Sequence, residues 1–79
     1  MVEHLRSHPH AGRIIQTWRR QCGLTQEELA HRLEVTFSTV SRWENGHVKP
    51  SKLACRALKK LADETGTQLQ EPSAEEISA

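Results

Sequence analysis

The 79-residue sequence has no run of apolar residues long enough to cross a bilayer. Its first ten residues, MVEHLRSHPH, contain no apolar core of the kind a secretion signal carries, so no signal peptide is expected. It has two cysteines, Cys22 and Cys55. They are too few and too far apart for a disulfide framework or a Cys-rich zinc site, and read as two buried free thiols in a cytosolic protein. There is no internal repeat, no Gly-rich phosphate loop, and no metalloprotease or nucleophile-elbow motif. An enzyme reading therefore has no constellation of residues behind it, and no cofactor is expected. The length allows one domain, with a core thin enough that oligomerisation would help it.

Base is also missing from one end. The net charge of +1 conceals a division. Residues 1–60 hold all eleven Lys and Arg against five acids, a balance of +6. Residues 61–79 hold five acids and no base, a balance of −5. A basic body with an acidic end suits a polyanionic partner.

What is present is concentrated in Thr25–Gly46, TQEELAHRLEVTFSTVSRWENG. Thr25 with Glu28 makes a capping box, the hydroxyl accepting from the Glu28 N–H while the carboxylate reaches back. Leu29, Ala30 and Leu33 follow as one buried helical face. Glu34 and Val35 make a turn, and Thr36 can cap the next helix. Val40 and Trp43 share a face of that helix, and Asn45-Gly46 stops it. Two helices this short need a further helix on either side to bury both faces. The chain supplies both.

Helix 1 is expected from about Ala11 to Cys22, with Ile15, Trp18 and Cys22 inward, Ile14 at the margin, and Gly23 as terminator. His47–Pro50 reads as a loop. Ser51 can cap a fourth helix whose stripe is Leu53, Ala54, Ala57, Leu58, Leu61 and Ala62, out to Thr65-Gly66. Arg56, Lys59 and Lys60 lie opposite, the two lysines near enough to the C-terminal half to complement its dipole. Residues 1–10 read as a flexible arm. His4, His8 and His10 raise a metal reading, but Pro9 interrupts them and no Cys or carboxylate completes a set, so they read as solvated histidines. A basic arm touching DNA through Arg6 stays open. Residues 67–79 read as an acidic, disordered tail, with Leu69 and Ile77 its large apolar residues.

The stretch LTQEELAHRLEVTFSTVSRWENGHVKP closely resembles the Cro/repressor-type (XRE) helix-turn-helix family. The resemblance rests on Leu24–Ala30, on Val35, Thr36, Thr39, Val40 and Ser41, on Trp43–Gly46 and on Pro50. It spans roughly Ile14 to Leu61. One position departs: the family usually has Gly where this chain has Glu34. The resemblance implies an all-α fold, a compact bundle of four to five helices with a central helix-turn-helix, the lambda-repressor-like arrangement, over residues 11–66. It further implies a structural ion pair between Arg19 and Glu44, tying helix 1 to helix 3.

The function so implied is sequence-specific binding of double-stranded DNA by a small transcription regulator, helix 3 in the major groove and helix 2 across the backbone. Phe37, Ser38, Thr39 and Arg42 are the expected base contacts, Arg42 foremost because its fork matches guanine O6 and N7. Phe37 either packs on a thymine methyl or folds back towards Val40 and Leu33. Gln26, Thr36, Ser41, Asn45, Lys49 and Lys52 are the expected phosphate contacts. One module covers about 600–1,000 Å² of DNA, so a homodimer on a palindromic operator is expected. A cytoplasmic, nucleoid-associated location follows. Two alternatives remain: a DNA-binding antitoxin with a toxin partner, and a protein-interaction module of the same fold that has lost DNA.

Overall fold

The computed structural model describes residues 5–70; residues 1–4 and 71–79, including His4 and Ile77, lie outside it. A 3-10 turn at Leu5–Ser7 precedes α1 (Ala11–Gln21), α2 (Gln26–Leu33), α3 (Phe37–Glu44) and α4 (Lys52–Thr65). The described residues contain no strand, and α2 and α3 form the helix-turn-helix at the centre of this all-α fold.

Local chemistry sets the helix starts. Thr25 Oγ1 accepts from the Glu28 N–H at 3.0 Å, and the Thr25 N–H donates to the Glu28 carboxylate at 2.9 Å. The Thr25 backbone N–H, and then its hydroxyl, hold the Glu28 carboxyl below the usual carboxylate range. Thr36 and Ser51 cap α3 and α4, accepting from the N–H groups of Thr39 and Ala54, each at 3.1 Å. At the end of α2, Glu34 takes φ 57° and ψ 41°. The missing turn glycine therefore leaves strain of about 1 kcal/mol in place. The Val35 N–H closes the turn on the Ala30 carbonyl at 3.0 Å.

The core gathers Ile14, Ile15 and Trp18 from α1, Leu29 and Ala30 from α2, Val40 and Trp43 from α3, and Leu58, Leu61 and Ala62 from α4. α3 packs on both α1 and α2, and α4 rests on α2. Ile14 is fully buried rather than marginal, because the 3-10 turn also lies against α1 and widens its covered arc.

Four other expectations differ from what is seen. Leu53, read as part of the inner stripe of α4, is 75 % exposed. The rest of the expected stripe packs as read, with Leu58, Leu61 and Ala62 buried and Ala54 against the core, so Leu53 alone falls outside it. The last turn of α4 holds no base. Asp63 and Glu64 occupy it, so Lys59 and Lys60 do not complement the dipole there. Cys22 and Cys55 are free but only partly buried, and partial desolvation pushes the Cys55 thiol up. Finally, the packed body extends past both expected edges. Leu5 and Leu69 belong to the core cluster, and the Trp18 indole N–H donates to Thr67 Oγ1 at 2.7 Å. After α4 the chain thus returns to α1, where Leu69 finds an apolar site that composition alone does not reveal.

Candidate nucleic-acid interface

The inward face of α3 is fixed to the scaffold at three places. Val40 and Trp43 are buried. The Glu44 carboxylate, with 1 % of its side chain exposed, receives Arg19 Nε at 2.7 Å and Nη2 at 3.1 Å. It also receives Gln26 Nε2 at 3.0 Å. The remaining Arg19 nitrogen, Nη1, donates to the Leu24 carbonyl at 2.8 Å. One buried carboxylate thus joins α1, α2 and α3 through charge-assisted hydrogen bonds, the two-pronged Arg19 contact being the strongest kind. Among the described residues no buried side-chain nitrogen or oxygen lacks a partner.

The third attachment is Gly12. A Cβ built there would lie 2.4 Å from the Trp43 carbonyl oxygen and 2.9 Å from that of Glu44. The first turn of α1 therefore sits directly on the backbone of the last turn of α3. Sequence reading missed Gly12. Its signal was a glycine inside a helix where alanine is the better former.

The outward face is free. Phe37 is 49 % exposed at the start of α3, and Ser38 and Arg42 are exposed with no side-chain partner among the described residues. Thr39 is partly buried, its hydroxyl paired with Thr36 Oγ1 at 2.7 Å. Ser41 Oγ accepts from Asn45 Nδ2 at 3.3 Å. Lys49 and Lys52 are exposed in and beyond the loop after α3. The Gln26 side chain, an expected phosphate contact, also meets Glu44 within the fold. One amide hydrogen is engaged by Glu44, leaving the second hydrogen and the Gln26 backbone N–H at the first turn of α2. Arg6 is exposed near the N-terminus. His8 and His10 have ring centroids 5.9 Å apart, but no group of three or more metal-ligating residues occurs among the described residues. No helix there is long and apolar enough to cross a membrane.

Two short helices joined by a tight turn, the second locked from behind and bare in front, define a helix-turn-helix domain. The family model described as helix-turn-helix matches residues 15–72, most of the chain, and the chain belongs to that family, of the Cro/repressor (XRE) type. It is 44 % identical over 45 residues to an uncharacterized HTH-type transcriptional regulator from Methanothermobacter thermautotrophicus. That match covers 57 % of this chain and 65 % of the relative, so the chain spans somewhat less than two thirds of the relative's length.

Proposed function

We propose that this chain binds double-stranded DNA sequence-specifically as a small transcription regulator, with α3 in the major groove and α2 across the backbone. The observation that carries the proposal is the two-sidedness of α3. Its inner face is held by Val40, Trp43 and Glu44, while Arg42 projects unpaired from its outer face. An exposed guanidinium on a rigid helix can donate both prongs to guanine. Phe37, Ser38 and Thr39 complete the base-reading set, with whichever of the Thr36 and Thr39 hydroxyls accepts in their shared bond keeping its hydrogen for DNA. Gln26, Thr36, Ser41, Asn45, Lys49 and Lys52 hold phosphates. The relative's description as a transcriptional regulator supports the same reading. An antitoxin would use this DNA face and add a protein partner. A module that had lost DNA would have no use for an unpaired Arg42. A homodimer on a palindromic operator enlarges a contact that one module leaves small.

The test is selection of bound fragments from random duplex DNA, then titration of variants on the selected operator and its single-base changes at two salt concentrations. Arg42→Ala is expected to cost about 1–3 kcal/mol and to relax preference at one position. Lys49→Ala is expected to lower the salt slope by about one, since a phosphate-bound lysine releases a counterion. Gln26→Ala weakens all sequences alike with little change of slope, checked against melting because it also removes a bond to Glu44. Failure to enrich any fragment overturns the proposal. Equal weakening of every sequence by Arg42→Ala makes Arg42 a phosphate clamp and moves base reading to Phe37, Ser38 and Thr39.

A further inference from the structure

We infer that Thr36 and Thr39 act as a coupled pair, in which a phosphate bound at Thr36 restricts Thr39 to a base that offers a hydrogen: adenine through N6 or cytosine through N4. This coupling rests on the DNA-binding reading proposed above and adds to it which base edge Thr39 accepts. The two hydroxyl oxygens lie 2.7 Å apart in an exposed position at the start of α3, the length of a good O–H···O bond, and either can be the donor.

A hydroxyl has one hydrogen and two lone pairs. Thr36 Oγ1 already accepts from the Thr39 N–H at 3.1 Å, which occupies one lone pair. If Thr36 donates to Thr39, it keeps one lone pair and no hydrogen. If Thr39 donates to Thr36, then Thr36 keeps its hydrogen, and Thr39 keeps two lone pairs and no hydrogen. Neither hydroxyl has another hydrogen-bond partner among the described residues, so nothing in the free chain fixes the direction. Thr25 and Ser51 cap α2 and α4 without a second hydroxyl, so this choice arises at α3 and not at their helices.

DNA fixes the direction. Thr36 is the N-cap, with extended backbone just outside α3, where the first N–H groups of the helix lack intrahelical acceptors. A phosphate oxygen there accepts hydrogens and offers none, so Thr36 can hold it only by donating. That requires Thr39 to donate to Thr36. Thr39, inside the first turn of α3, then faces the groove with lone pairs alone. Adenine N6 and cytosine N4 donate in the major groove, whereas guanine O6 and N7 and thymine O4 accept. The first two complete a bond to Thr39; the others set lone pair against lone pair.

The experiment titrates the full chain and its variants on the selected operator. Thr39→Val keeps the branched shape and removes the hydroxyl, so the base pair at which it loses preference is the one Thr39 faces. At that pair the amino group alone is deleted, purine replacing adenine or 2-pyrimidinone replacing cytosine. This deletion is expected to weaken the wild-type chain roughly tenfold more than it weakens Thr39→Val. Reversing the pair puts an acceptor before Thr39 and is expected to cost the wild-type chain roughly tenfold or more. Thr36→Gly retains a tolerated cap and frees the Thr39 hydrogen. It is expected to bind all sequences more weakly, through the lost phosphate contact, and to cut the cost of reversal to about threefold or less. A Thr36 that served only the cap or the phosphate would give the general weakening without that cut. Circular dichroism checks that each variant keeps its helices. The coupling alone is overturned if Thr39→Val relaxes no position, if the amino deletion weakens wild type and Thr39→Val alike, or if Thr36→Gly keeps full discrimination. A chain that enriches no fragment overturns the coupling together with DNA binding itself.

Discussion

Removing one partner of the Arg19–Glu44 pair tests what holds α3 at its angle. Glu44→Ala leaves the Arg19 guanidinium, itself 10 % exposed, with the Leu24 carbonyl as its remaining acceptor, and takes the Gln26 amide's acceptor away. Breaking a buried pair this way costs about 3–5 kcal/mol, chiefly because the stranded charge stays desolvated. A domain of this size has roughly 4–12 kcal/mol of total stability, so the loss is a large share of it. The midpoint of thermal unfolding should fall by more than about 10 °C. Circular dichroism melts and urea titrations of Glu44→Ala, Arg19→Ala and the double variant Arg19→Met, Glu44→Leu are the assay. The double variant removes both charges and restores apolar volume, so its cost should lie well below the sum of the single ones. Unchanged midpoints in both single variants would refute the reasoning. Strict additivity in the double variant would show that the two residues act separately.

Gly12→Ala should cost about 1–3 kcal/mol despite alanine's better helix propensity, because its methyl group meets the Trp43 carbonyl; a raised melting temperature would show that α1 simply shifts aside. Leu69→Ala should cost about 2–4 kcal/mol, as expected for a buried leucine, and fast exchange of the Leu69 amide in the wild-type chain would count against its packing. The Glu28 carboxyl should titrate by carbon-13 NMR below the ordinary Glu value, and Thr25→Ala should move it part of the way back. Because its folded pKa is depressed, the capping box contributes fully above the unfolded carboxyl pKa and loses that contribution as pH falls through the folded one. An ordinary Glu28 midpoint would sink this.

Much of the fold lay in local chemistry and could be read from it. The Thr25–Glu28 box, the caps at Thr36 and Ser51, and the buried Val40 and Trp43 each follow from residues a few positions apart. What escaped depends on distant parts of the chain. Periodicity assigns a helical face but not its edges, which is why it sets Ile14 too far out and Leu53 too far in. Leu69 is buried because the chain returns to α1 after Gly66, and no nearby spacing encodes that return. Gly12 matters because of how closely α1 crosses α3. In the candidate interface, the pairing of Arg19 with Glu44 comes through family resemblance, whereas the Gln26 bond to Glu44 joins residues 18 positions apart and leaves no mark in local spacing.

The division of α3 into a held side and a bare side separates two kinds of inheritance. Ser38 and Arg42 support nothing behind them, so exchanging them leaves the grip on the helix intact and, on the proposed DNA-binding reading, should change what is read. Gly12, Arg19 and Glu44 do the reverse. On that reading the outward positions form a vocabulary that can change without loosening the scaffold. Transplanting a few exposed side chains from one such protein to another should carry the preference with them.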